Sequence, residues 1–187
     1  MQHSNYVIYK PFGMLSQFIN NKTRKKALLS DLYDFVSGTM AIGRLDANSE
    51  GLLFLTTDGK LSEAIRSHKV EKEYWVQVDG EINSKAIEEL NLGTQITVNG
   101  EQYCTMPCEA AFMQEPNLPD RGRKIRDSRH GPTSWVKIIL REGKNRQIRK
   151  MTASVGFPTL RLIRYRIGTL TIENMQPGDV IKVADFS

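Results

Sequence analysis

The sequence predicts an α+β protein: a mixed, largely antiparallel sheet with flanking helices. Three observations lead there. Short β-branched and aromatic runs outnumber helical stripes, helices fall between only some of those runs, and no regular strand–helix–strand repeat is present. At 187 residues, 40% hydrophobic and 25% charged, the chain is long enough to bury a substantial core as one domain spanning 1–187.

The elements follow in order. Tyr6-Val7-Ile8-Tyr9 reads as a strand closed by the turn Lys10-Pro11-Phe12-Gly13. Leu28, Leu29, Leu32, Phe35 and Val36 make a helical stripe over 25–36. Met40-Ala41-Ile42 is a strand that runs into the polar loop Gly43-Arg44-Leu45-Asp46. The apolar run 51–55 has the length of a buried strand, Asp58-Gly59 ends it, and 60–67 continue as a helix. The aromatic and β-branched run 73–79 is a strand, residues 84–92 a helix ending at Gly93, and Asn99-Gly100 a hairpin turn. Residues 114–133 carry Pro116, Pro119, Gly122, Gly131 and Pro132 without periodicity and read as a mobile basic loop, the one segment that could stay disordered without a partner. A strand over 134–140 precedes the clearest helix, 145–155, with Gly156 at its C-terminal end. That helix puts Ile148, Met151, Thr152 and Val155 on one face and Arg146, Arg149 and Lys150 on the other. The remainder, 160–183, reads as strands broken at Gly168 and Pro177-Gly178.

Charge is unevenly spread. Residues 121–166 hold 14 Lys and Arg against two acids, Asp127 and Glu142, a surplus of 12; for the net +5 the rest of the chain must carry −7. Such a basic block suits a polyanionic partner, because each phosphate contact releases condensed counterions, and equally suits a solubilising surface. No apolar run approaches the roughly 20 residues of a membrane span, and the N-terminus lacks the layout of a secretory signal. The expectation is a cytoplasmic protein without a membrane partner. Cys104 and Cys108 have no second Cys/His pair at finger-like distance, and His3, His68 and His130 form no metal or triad pattern. No metal site and no cofactor are expected.

Asp46 stands in a loop between two apolar strands, beside Arg44, Asn48 and Glu50. A carboxylate held there can act as a nucleophile or a base, although a loop aspartate is more commonly a turn or cap residue. Tyr74, mid-strand, suits a core position or a platform on which an unpaired base stacks. The cations on the helix face suit a phosphate, a carboxylate partner or plain solvent.

Three motifs then occur in order. Gly43-Arg44-Leu45-Asp46-Ala47-Asn48-Ser49-Glu50-Gly51-Leu52-Leu53 resembles the signature of the pseudouridine synthases related to RsuA, with the family's aspartate on Asp46. Lys72-Glu73-Tyr74-Trp75-Val76 is similar to the second motif, its tyrosine falling on Tyr74. Glu142 to Met151 is similar to the third, its basic partner of the aspartate falling on Arg149. With Lys10-Pro11 near the start, the three together are far more specific than any one short match. Ser49 stands where the family often has threonine, and Ala47 where it often has a polar residue. The resemblance covers nearly the whole chain and leaves no room for the N-terminal S4-type RNA-binding domain most of the branch carries. It is strongest to the members that act on the large ribosomal subunit.

The resemblance implies a single catalytic domain of two subdomains about an RNA-binding cleft. It implies a monomer that flips one uridine of 23S ribosomal RNA into a pocket and isomerises it to pseudouridine. Asp46 would be the catalytic aspartate, Arg149 its partner, and Tyr74 the platform under the uracil. Arg44, Lys144, Arg146, Lys150, Arg161 and Arg164 would bind RNA. The rival from another class is a non-catalytic RNA-binding or ribosome-assembly factor, which the basic block and the aromatic strand fit equally well. Against it stands Asp46, an anion that weakens phosphate binding unless chemistry needs it. A metal-dependent nuclease would want clustered carboxylates, and Arg44 beside Asp46 and Glu50 disfavours a divalent ion.

Overall fold

The computed structural model describes residues 3–20, 26–67 and 70–187. It divides into two compact units, residues 1–70 with 163–187, and residues 71–162.

The first unit is built on β1 (Asn5–Lys10), β2 (Met40–Ile42) and β3 (Glu50–Thr56). The end of β9 (Thr159–Ile167), β10 (Leu170–Thr171) and β11 (Val180–Val183) complete it. β1 lies between β11 and β3, antiparallel to both. β3 and β9 pair in parallel, Gly51 against Arg164, which is why this otherwise antiparallel sheet is mixed. Every residue of β1 and β3 is buried, so these strands read as continuous apolar runs without alternation. Helix α1 (Gly59–Arg66) begins at Asp58, whose carboxylate caps Lys60 N at 2.9 Å and Leu61 N at 3.3 Å.

The helix expected over 25–36 does not form in its described part, 26–36, where only a 3-10 turn at Leu29–Asp31 is present. The Asp31 carboxylate accepts from Leu28 N at 2.8 Å, a local bond that competes with helical pairing. The apolar residues of the stripe still reach a core: Leu29 is buried with Tyr6, Ile8 and Leu53, and Phe35 meets Tyr6 edge-on at 5.1 Å between ring centres. Residue 25 lies outside the described residues.

In the second unit β4 (Lys72–Asp79) pairs antiparallel with β8 (Thr133–Leu140), and β8 with β7 (Glu109–Met113). β5 (Gln95–Val98) and β6 (Glu101–Cys104) form the hairpin announced by Asn99-Gly100, both of which have positive φ as a two-residue turn of this kind demands. Helix α2 (Ser84–Leu92) is capped by the Asn83 side chain on Ala86 N and packs on β7. Helix α3 (Gln147–Ser154) packs on β5. Tyr74, Val76 and Val78 alternate onto one core with Leu90, Val136, Ile138, Ile148 and Met151. No local signal marks β7, whose run Glu-Ala-Ala-Phe-Met is weak in β-branched residues; pairing with β8 places it.

The stretch 114–133 is tied down rather than loose. Arg126 Nη2 donates to Asp79 Oδ1 at 2.6 Å and Pro132 O at 2.9 Å, Arg161 Nη2 donates to Pro119 O at 2.9 Å, and Gly80 N donates to Pro132 O at 2.9 Å. The expectation of a mobile loop missed these anchors, because they come from β4 and β9, distant in sequence.

Candidate active site

Asp46 sits half-buried in the loop between β2 and β3, and that loop is pinned from the segment after β1. Ser16 Oγ donates to Leu45 O at 2.7 Å and accepts from Leu45 N at 2.9 Å. Gly13 N donates to Ala47 O at 2.6 Å, and Ser49 N closes the turn on Asp46 O at 3.0 Å. Four bonds on five residues fix the backbone of the loop that carries the carboxylate, at the start of a buried strand. Arg44 is exposed, and its guanidinium reaches Gln17 Oε1 at 3.4 Å.

Beneath this loop lies a group whose role the sequence does not show. Lys10 ends β1 with no exposed surface, its ammonium donating to Pro11 O at 3.0 Å and Met14 O at 2.8 Å. Those two carbonyls flank Gly13, the residue that holds Ala47, so the Lys10 side chain braces the Asp46 loop through one intervening turn. Burial pushes its pKa down from 10.5 to about 7; Glu50 opposes the fall, Arg164 adds to it and Asp46 opposes it. The Lys10-Pro11 pair was legible as a turn and as part of the family resemblance, but nothing in Tyr-Lys-Pro-Phe announces that the ammonium points inward.

A measurable consequence follows for stability. Between pH 7 and 10.5 the unfolded chain holds a proton on Lys10 that the folded chain does not, so stability rises with pH across that window. The slope is at most about 1.4 kcal/mol per pH unit. Below pH 7 both states are protonated and this group contributes no slope. Lys10→Met is expected to flatten the rise, read as urea midpoints at pH 7, 8 and 9. A variant that keeps the wild-type rise would locate its source in another group.

In the second unit Tyr74 is 8% exposed, on the core-facing side of β4. Arg149 and Lys150 are half-buried on α3, whose opposite face buries Ile148, Met151 and Thr152 as its periodicity requires. Arg146 is exposed at the helix start with φ +53°. Lys144 lies over the Tyr103 ring at 4.7 Å from its centre. The entry to α3 is locked by Glu142, 2% exposed, which accepts from Tyr103 Oη at 2.5 Å, Met106 N at 2.8 Å and Gln147 Nε2 at 2.6 Å. That bond to Glu142, reinforced by desolvation, pushes the Tyr103 hydroxyl up to about 12. Glu142 therefore fixes the bend from which Arg149 projects.

Two of the cations expected at the RNA surface are largely withdrawn from solvent. Arg164, 4% exposed on β9, donates from Nε to Leu52 O at 2.8 Å and supports the sheet. Arg161, 8% exposed, lies with Arg126 and Gln77 along a separate basic pocket of the second unit. The strands that bury them were expected, but their facing was not, because side-chain direction depends on register.

Among the described residues no group of three His, Cys, Asp or Glu side chains could hold a metal ion, and no helix is long and apolar enough to cross a membrane. Cys104 is exposed and Cys108 half-buried, both free, and burial pushes the Cys108 thiol up to about 11.

The family model for RNA pseudouridylate synthase matches residues 4–154. The ribosomal large subunit pseudouridine synthase E of Vibrio vulnificus is 40% identical over 177 residues, 92% of this chain and 72% of that protein. The protein of the same name from Xanthomonas campestris is 39% identical over 175 residues, 92% of this chain and 91% of its own. The crystal structure of a pseudouridylate synthase aligns with a TM-score of 0.76 at 22% identity, over 97% of this chain and 70% of that one, a likeness of fold. The pinned aspartate loop, the strand tyrosine and the α3 arginine thus lie in a chain that belongs to the RNA pseudouridylate synthase family, within its RsuA-related branch, and is an isomerase.

Proposed function

We propose that this protein converts a specific uridine of 23S ribosomal RNA to pseudouridine in the cytoplasm, acting as a monomer with its two units as one catalytic domain. The observation that carries the substrate assignment is the 39–40% identity, over about nine-tenths of the chain, to enzymes named for the large ribosomal subunit.

The reaction breaks the bond between ribose C1′ and uracil N1 and remakes it to C5; the proton lost from C5 is balanced by one gained at N1, so the product is an isomer of the substrate. A stacked or paired uridine hides these atoms, so the base is flipped out at an unstacking cost of a few kcal/mol, offset by phosphate contacts. Asp46 is the essential carboxylate, serving as nucleophile or as the base that generates a glycal-like intermediate. Arg149 is its basic partner, the role that the third motif assigns to this position. Tyr74 stacks on the flipped uracil. Arg44 fills the space that the base vacates or grips the backbone, and Lys144, Arg146 and Lys150 grip the backbone.

The test is a pseudouridine map of ribosomal RNA from cells with and without the protein. One large-subunit uridine is expected to lose its modification when the protein is absent and regain it on complementation. Persistence of every large-subunit pseudouridine would overturn the substrate assignment.

A further inference from the structure

The second unit exposes an apolar seam between α2 and the outer edge of β7. Leu92, Met106 and Phe112 are each at least half exposed there. Asn91 gathers them: Leu92 is its chain neighbour, its carbonyl accepts from Cys108 N at 3.1 Å, and its side chain holds Ala110. Asn91 Nδ2 donates to Ala110 O at 3.0 Å, and Ala110 N donates to Asn91 Oδ1 at 2.6 Å. An asparagine amide thus stands in for a neighbouring strand at Ala110, whose two backbone groups face away from β8. Residues two apart in an antiparallel ladder face the same way, so Phe112 also turns its N–H and C=O outward. No further strand pairs with β7 among the described residues. The edge is closed at Ala110 and open at Phe112, the kind of edge to which an extended peptide adds.

Charge decides which partner fits. Residues 79–115, which include α2 and β7, hold seven acids against the one base Lys85, a net of −6. Glu81, Glu88, Glu89, Glu101, Glu109 and Glu115 are all exposed, and Lys85 is paired with Glu89. Such a field repels RNA phosphates and the anionic surface of a bilayer alike, and attracts cations. Alternation along β7 sets Phe112 on the same face as Ala110, which is buried with Leu90 of α2, and sets Glu109 on the opposite face. A strand with apolar side chains on one face and Lys or Arg on the other matches both.

We propose that the seam between α2 and β7 docks a lysine- and arginine-rich protein segment, which adds to β7 at Phe112 as an extra strand. Its apolar side chains lie against Phe112, Leu92 and Met106, and its cations meet Glu109 and the acids around the seam. The main-chain bonds at Phe112 anchor it, and the apolar contacts distinguish it from a polycation held by charge alone. The docking stands apart from the catalytic reading, since none of these residues takes part in the chemistry proposed above.

The probe is a labelled synthetic peptide that alternates Lys or Arg with Val, titrated onto the full chain by anisotropy. A peptide of the same charge with Ser in place of Val is its control. Saturable binding of the Lys/Val peptide is expected, with the Lys/Ser peptide weaker by about tenfold, and amide exchange at Phe112 slows when the first is bound. Phe112→Ser is expected to weaken the Lys/Val peptide about tenfold, and Glu109→Gln/Glu115→Gln about threefold, a difference that salt erases. Asp34→Asn, an exposed acid of the first unit, leaves Kd within about twofold. Pseudouridine formation on protein-free ribosomal RNA stays at the wild-type rate in all three variants. No binding up to about 1 mM overturns the docking, as do equal affinities for the two peptides, wild-type affinity in Phe112→Ser, or unchanged exchange at Phe112. Self-association that Phe112→Ser abolishes would replace the basic segment with a second copy of the chain, and loss of RNA modification in that variant would return the face to the RNA site; either result overturns the proposal. Absence of pseudouridine with the wild-type protein strikes the catalytic reading alone.

Discussion

Asp46→Asn is expected to lower pseudouridine formation by roughly 10³-fold or more while RNA affinity stays within a few-fold of wild type. The substitution keeps the shape of the side chain and the bonds that pin the loop, because Leu45, Ala47 and Asp46 are held through their backbone atoms by Ser16, Gly13 and Ser49. What it removes is the negative charge that, in the proposed mechanism, either attacks the sugar or takes its proton. RNA binding has no need of that charge, since a carboxylate near phosphate is repulsive, and the variant binds as well or slightly better. Release of tritium from the uracil C5 position reads turnover, and a filter-binding or anisotropy titration reads affinity. Turnover within about tenfold of wild type would remove Asp46 from the chemistry, whereas joint loss of turnover and affinity would make it a structural residue.

Gly51→Ala is expected to destabilise the fold by about 3 kcal/mol or more, although Gly51 touches no substrate in the proposed mechanism. It lies in β3 with φ +109°, and a Cβ there would meet Arg164 O at 2.3 Å and Arg164 N at 2.8 Å. Both atoms are backbone of β9, which runs parallel to β3 at this point and cannot step aside without giving up the register Gly51 to Arg164. Overpacking costs about 1–3 kcal/mol and the backbone conformation about 1–2 more. For a chain of this size that corresponds to a fall in melting temperature on the order of 10 °C. Gly13→Ala separates the two contributions, since Gly13 has φ +87° with nothing within 4 Å of the added carbon. It is expected to lose only about 1–2 kcal/mol. Equal melting temperatures for the two variants would show that β9 yields where the packing says it cannot. Gly51, the second glycine of the signature motif, is thus explained by a close strand approach, five residues along the chain from Asp46.

Local chemistry made much of this molecule legible in its sequence. Asn99-Gly100 demanded a two-residue hairpin, and the spacing of Ile148, Met151 and Thr152 demanded that α3 turn Arg149 away from its core. The signature around Asp46 could be read because a motif is contiguous. Where an element depended on residues far along the chain, the sequence was silent or misleading. The stripe over 25–36 had helical spacing, yet in the described part its apolar side chains are satisfied by Tyr6, Ile8 and Leu53 without a helix.

What the sequence by itself determined is the family, the α+β class, the candidate aspartate and the basic character of residues 121–166. Tertiary structure alone decided which charges reach solvent. Lys10 and Arg164 face inward because β1, β3 and β9 are buried strands, and Arg126 and Gln77 line one pocket because a tethered loop lies against β4 and β8. Charge can be counted along a chain, but its exposure is set by pairings between strands more than a hundred residues apart, and those are fixed only when the core closes.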